Sequence, residues 1–135
     1  MSFLDPYRSE IQSIVRIALA LVILQYGLSK HLGLPESGFT GVPLASLPGI
    51  AGAIELVGGA LLLVGLFTRA TAFVLSGLMA AAYVVGHAAQ GFFPMLNGGS
   101  LAVALSFAFL QIAVAGGGAW SLDRRLDGTR GVARA

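Results

Sequence analysis

Few side chains in this sequence can do chemistry, and several of those sit where apolar residues surround them. Arg16 and Glu55 are charges that fall inside long apolar runs. A charge in hydrocarbon costs about 2.5–3.5 kcal/mol on insertion scales, so it faces a partner or a cavity. A guanidinium and a carboxylate at similar depth can neutralise each other, and a carboxylate in an apolar slot can also carry a proton. Gln25, Lys30 and His31 follow Arg16 in the first apolar segment. His87 closes the third, Asn97 lies in the loop beyond it, and Tyr26 and Tyr83 share their depth. An imidazole changes charge near neutral pH. Glu55, His87, Lys30, Gln25 and Asn97 together offer the hydrogen-bond and proton partners that a polar headgroup in an apolar pocket needs. Each has a plainer reading beside it. A histidine at a helix end is commonly interfacial, a lysine there is commonly a snorkelling anchor, and Gln111 in the last segment reads as an interhelical hydrogen bond.

Other chemistries have no residues to carry them. The sequence has no cysteine, which removes disulfides, thiolate catalysis and Cys-ligated zinc or iron–sulfur sites. Two histidines on different segments make no convincing haem pair, and no Glu-x-x-His motif announces a di-iron centre, so no metal site is expected. The net charge of +2 comes from arginines near the ends rather than from a basic face, which argues against nucleic acid as a partner.

The elements that position these groups follow from composition. Of 135 residues, 56% are apolar and 10% charged, where a soluble domain carries about a quarter charged. The stretch 70–122 holds no Asp, Glu, Lys or Arg, only His87. So short a chain cannot hide that much apolar surface from water, so its solvent is lipid. The pattern predicts an all-α membrane protein: a four-transmembrane-helix bundle in a single domain, 1–135. Its helices cover about 9–31, 48–67, 69–90 and 99–119, each near the ~20 residues that cross a hydrocarbon core. A polar tail, 121–135, follows. Gly65 suits a helix end and Thr68 the next helix cap.

With an even number of spans both termini share one side, which collects Arg8, Arg69, Arg124, Arg125, Arg130 and Arg134, while the opposite side has Lys30 alone. The positive-inside rule then makes the N- and C-termini cytoplasmic. At 1.5 Å per residue, Glu55 sits a little outward of the middle of its span and Arg16 about 6 Å inward of its own, within reach of a guanidinium. An Arg16–Glu55 ion pair is therefore expected, either as a pin between the first two helices or as part of a proton-active site.

An ordered set of motifs runs through most of the chain. It comprises Arg16, Gly27 and Lys30, then Gly52-x-x-Glu55-x-x-Gly58-Gly59 and Gly65-Leu66-Phe67-Thr68-Arg69. His87, Asn97-Gly98-Gly99, Gly116-x-Gly118 and Ser121-Leu122-Asp123 complete it. In this the sequence resembles the DoxX-like family of small four-helix integral membrane proteins. One departure is Ser100, where the family's loop often continues into an acidic residue. The resemblance implies the four-helix fold and a multi-pass place in a bacterial or archaeal cytoplasmic membrane. It also implies an association with quinone-linked oxidation and membrane oxidoreductase complexes.

Three functions remain open at this level. The chain can be an accessory or quinone-associated subunit of a respiratory-type membrane oxidoreductase. It would then carry no covalently bound cofactor, contact the lipid bilayer and other membrane subunits, and take quinone as its ligand. It can be a purely structural or assembly subunit of a larger membrane complex. A small-solute or proton pathway is disfavoured, because the inner half offers only Arg16 and Gln111 as polar lining. Whether the chain is itself an enzyme is left open. The orientation has a direct check: a fluorescent protein fused to the C-terminus is expected to be bright, and alkaline phosphatase fused there inactive.

Overall fold

Helix-breaking glycines and proline-rich loops divide the chain where the hydropathy pattern does, with shifted boundaries. The structure, a computed structural model, describes residues 3–133, and no strand occurs among the described residues. A single 3-10 turn leads into α1 (Arg8–Leu32). Then come α2 (Leu47–Val64), α3 (Thr68–Gly86), the one-turn α4 (Pro94–Asn97), α5 (Ser100–Ala115) and α6 (Leu122–Ala133). The stretches Asp5–Leu32, Leu47–Val64 and Thr68–Gln90 are long and apolar enough to cross a membrane. α5 is equally apolar but shorter, about 24 Å at 1.5 Å per residue.

The boundary shifts have local causes. α2 ends at Val64 rather than at 67 because Gly65 takes the left-handed conformation (φ 73°), and its N–H returns to the Leu61 and Leu62 carbonyls. α3 is regular only to Gly86; His87 leaves helical geometry and Ala88–Gln90 tightens into a 3-10 turn. α5 stops at Ala115 because Gly116 (φ 88°, ψ −169°) turns the backbone away. The polar tail is helical over Leu122–Ala133. The Ser121 hydroxyl accepts the Arg124 N–H at 3.3 Å, a cap for that helix.

α1 packs mainly along α2, and α3 mainly along α5, with smaller α2–α3 and α1–α5 contacts closing the bundle. Ala20, Ile23, Leu62, Leu75, Phe109 and Ile112 are fully buried between them. The outward faces keep large apolar side chains such as Val57, Phe73, Phe107 and Val114 exposed, as lipid permits. Ser76 and Ser106 exchange reciprocal bonds from hydroxyl to carbonyl, 2.7 and 3.0 Å, tying α3 to α5. Gln111, expected in that role, is exposed.

Arg16 organises the end of the bundle that carries the start of α1. It is completely buried. Its Nε donates to Gly117 O at 2.8 Å, Nη1 to the Leu62 carbonyl and to Leu63 O at 2.7 Å, and Nη2 to Trp120 O at 2.9 Å. The expected Arg16–Glu55 pair is not formed. Carbonyls at the C-terminus of α2 and in the 116–120 turn lie nearer, carry the negative end of a helix dipole, and match a planar fork of five donors. Gly65 must be glycine for a second reason: a Cβ there would fall 2.6 Å from Ser121 Cβ and 3.0 Å from Arg16 Cζ.

Asp123 completes this end. Its carboxylate accepts the N–H groups of Phe67 and Thr68, each at 2.8 Å, so it caps α3 from the far end of the chain. Those bonds hold Phe67 in an unusual left-handed conformation (φ 49°). Arg69 in turn donates to the Ala113 and Val114 carbonyls and closes the last turn of α5.

Two outcomes follow. Arg16→Ala strands several buried carbonyls at once and is expected to cost on the order of 3–5 kcal/mol in mixed-micelle unfolding. Arg16→Lys, with three donors and no planar fork, restores only part of that. Burial raises the Asp123 carboxyl pKa, but the Thr68 and Phe67 hydrogen bonds and the Arg16 charge outweigh it and set it below its ordinary value. A carboxylate whose folded pKa is depressed contributes its stability above the unfolded value, about 3.9, and loses it as pH falls through the lower folded one. Asp123→Asn is expected to cost about 1 kcal/mol at neutral pH, with the gap to wild type closing below about pH 4.

Candidate functional site

At the opposite end, two glycines bring the charged groups together. A Cβ on Gly27 would lie 2.6 Å from the Leu56 nitrogen and 2.8 Å from the Gly52 carbonyl, so α1 and α2 touch backbone to backbone there. A Cβ on Gly52 would lie 2.9 Å from both Lys30 Cδ and His31 Nε2. Lys30 therefore lies across the bare surface of Gly52 and reaches Glu55 one turn further along α2. Its ammonium donates to Glu55 Oε1 at 2.9 Å and Oε2 at 2.7 Å. Both residues are more than nine-tenths buried. The pair is net neutral, and a lysine ammonium has one further N–H to give.

The loop between α1 and α2 covers this pair. Phe39 places its ring 5.9 Å from the Lys30 ammonium, a cation–π contact. His31 bonds through Nε2 to the Gly49 carbonyl at 2.9 Å, which fixes the start of α2 against the end of α1.

From the other helix pair comes His87, at the point where α3 leaves regular geometry. Its Nδ1 lies 3.0 Å from the Asn97 carbonyl. A carbonyl only accepts, so Nδ1 carries the proton and Nε2 is the acceptor of the neutral ring. Asn97 builds the loop that presents this carbonyl. Its side chain donates to Gly91 O at 2.8 Å and to the Tyr83 hydroxyl at 3.2 Å, and accepts the Gly99 N–H at 2.9 Å. The Tyr83 ring stacks beside His87 at 6.4 Å between centroids.

Lys30, Glu55 and His87 line one cavity of about 320 Å³, together with Tyr26 and Phe39. Ile23, Met79 and Leu105 supply apolar wall. A volume at the small end of ligand pockets, with apolar walls and few polar groups, suits a small uncharged group that can hydrogen-bond better than an anion. Among the described residues no three His, Asp or Glu side chains group as metal ligands.

The structure thus brings together Lys30, Glu55 and His87 and leaves out two other expected residues. Gln25 is exposed and lines a neighbouring pocket of about 330 Å³, on the side of Lys30 and Phe39 that faces Ser29 and Ser37. Asn97 spends its side chain on the loop and acts on the site only through His87. Tyr26 was legible by depth alone. Phe39 gave no signal, because its place over Lys30 depends on the path of a Gly- and Pro-rich loop. The Lys30–Glu55 pair had one: of the Lys and Arg residues, Lys30 alone falls toward the end of the bundle away from Arg8, Arg69 and Arg124.

The profile of the DoxX family matches residues 11–88. An uncharacterised protein of Haemophilus influenzae is 41% identical, with 93% of this chain and 97% of that protein covered. An uncharacterised membrane protein of Mycobacterium tuberculosis is 30% identical, covering 84% of this chain and 79% of its own. The inner membrane protein YphA of Escherichia coli is 31% identical over 83% of this chain and 87% of its own. No solved structure matches.

Breaking a buried pair costs more than replacing it. Lys30→Met and Glu55→Gln are each expected to cost on the order of 3–5 kcal/mol in mixed-micelle unfolding, by leaving an uncompensated partner. The double variant is expected to recover most of that loss, a non-additivity that a double-mutant cycle reads directly.

Proposed function

The chain belongs to the DoxX family, and we propose that it serves as a small subunit of a membrane oxidoreductase complex, holding a quinone headgroup in the cavity between Lys30, Glu55 and His87. The observation that carries this reading is the composition of the cavity. A compensated ion pair and a histidine face one apolar space within helices fit to cross a membrane.

The residues present fit such a headgroup. The Lys30–Glu55 pair keeps the cavity neutral, which disfavours charged solutes. The remaining ammonium N–H can donate to one ring oxygen, and in the reduced, quinol form the other ring hydroxyl can donate to His87 Nε2. Ile23, Met79 and Leu105 exclude water from the ring faces. A quinone, when bound, would supply two-electron, two-proton chemistry. The chain's own part is to orient the ring through Lys30 and to accept a proton at His87 Nε2, while electrons come from a partner subunit, since the sequence has no cysteine to hold a redox centre.

The proposed setting is a bacterial cytoplasmic membrane with four spans, α5 being the last, and with both termini cytoplasmic. α5 lies along α3, and Arg8, Arg69, Arg124 and Arg125 all sit at the Arg16 end, as the positive-inside rule requires of the cytoplasmic side. One observation favours the purely structural reading instead: Lys30 and Glu55 already satisfy one another without a ligand.

Purification from native membranes in mild detergent, with mass spectrometry of lipids and proteins, tests the proposal. Quinone and at least one further membrane subunit are expected to co-purify with wild type. In Lys30→Met/Glu55→Gln, the variant expected to recover most of the lost stability, quinone is expected to fall about tenfold while the partner is retained. A stable monomer free of both overturns the reading. Retained partner with no quinone in wild type leaves the structural role in its place.

A further inference from the structure

A second recess opens on the α2–α3 seam that also supplies Glu55 and Met79 to the cavity. It is a groove of about 480 Å³ lined by Ile54, Val57, Gly58, Leu61, Val74 and Leu75, among other residues. Its origin lies in the packing. α2 and α3 are tied at one end by a short turn and the Arg16 and Asp123 networks, yet they share far less contact than α1 with α2. Gly58 brings no side chain to the seam, so Leu75 packs directly on its backbone, 3.0 Å from where a Cβ would stand. Gly58 and Leu75 form a buried floor, while Val57 and Val74, 61% and 54% exposed, form rims open to lipid.

The groove lies beside the cavity along the same two helices. Ile54 in the groove precedes Glu55 in the cavity, and Leu75 stands one helical turn from Met79. From Ile54 to Leu61 the groove runs about 10 Å along α2. That shape suits a linear chain better than a docked helix, because the exposed Ile50 and Val64 project from the Val57 face on either side of it.

We propose that the ligand whose headgroup occupies the cavity lays its hydrocarbon tail in this groove, so that the protein selects long-tailed, membrane-resident quinones over tailless ones. This rests on the headgroup reading above. Lipid already solvates the tail, so the gain comes from close packing against a fixed wall rather than from a hydrophobic effect, and the selectivity is a moderate factor.

The test uses the full chain in phospholipid nanodiscs with two probes at matched mole fraction: a methoxylated benzoquinone without a tail, and the same ring bearing a ten-carbon tail. Thermal stabilisation against probe content gives the affinities. The tailed probe is expected to bind wild type about tenfold better. Val57→Trp/Val74→Trp, which fills the groove from exposed positions, is expected to erase that advantage and leave tailless binding unchanged. Val114→Trp, equally lipid-facing but on α5, is expected to change neither. Equal affinity of the two probes for wild type, or a tail advantage that survives the filled groove, overturns the groove assignment and leaves the headgroup site standing. Failure of both probes to bind wild type overturns the headgroup reading itself.

Discussion

A single guanidinium holds one end of this bundle together. Arg16 donates to carbonyls at the C-terminus of α2 and in the turn after α5, so three segments distant in sequence meet on one side chain. In a membrane this is close to an obligation. Helix ends leave carbonyls without intrahelical partners, and in a dry environment each needs a donor. Asp123 answers the complementary need at the N-terminus of α3, and Arg69 repeats the carbonyl-capping role for α5. Much of the polar inventory at this end is thus engaged by backbone.

That expenditure separates the two ends. Arg16 was expected to pair with Glu55, and its donors go instead to backbone carbonyls of the fold. The pair that remains available, Lys30 and Glu55, is compensated by itself and sits beside open volume. The difference is one of geometry rather than of residue type. At the Arg16 end the segments converge and the turns are short; at the Lys30 end a long loop and the irregular 87–99 segment hold the helices apart around a cavity.

Much of the fold was legible because lipid imposes it. The uncharged stretch 70–122, the glycine at 65 and the broken run around 91–99 mark the helices to within a few residues. The site was legible in part. Residue type and depth pick out Lys30, Glu55 and His87. Depth along a helix says nothing of azimuth, which is why Gln25 faces the pocket of Ser29 and Ser37 rather than the cavity of Glu55 and His87, and why Gln111 faces outward. The partner of Arg16 was misjudged because only side chains of opposite charge were weighed. Backbone carbonyls at helix ends are acceptors that a sequence does not display. Gly52 and Gly27 carried the missing information: small residues in register on two helices say where those helices touch, hence which cation lies over which carboxylate.

The asymmetry also bears on what such a bundle can do. A pathway across the membrane needs polar or hydrated lining along its whole length. Here the half below Glu55 is filled by Ala20, Ile23, Leu62, Leu75, Phe109 and Ile112, and beneath them Arg16 is saturated by carbonyls. The cavity at Lys30, Glu55 and His87 thus has no polar-lined route to the Arg16 end. Any proton exchange there therefore has to run through the end at which the loops lie. A cavity closed in this way at one end makes a poor channel. The groove between α2 and α3 gains its meaning from this closure. With the far end filled, the seam presents to lipid an apolar surface whose rims are Val57 and Val74.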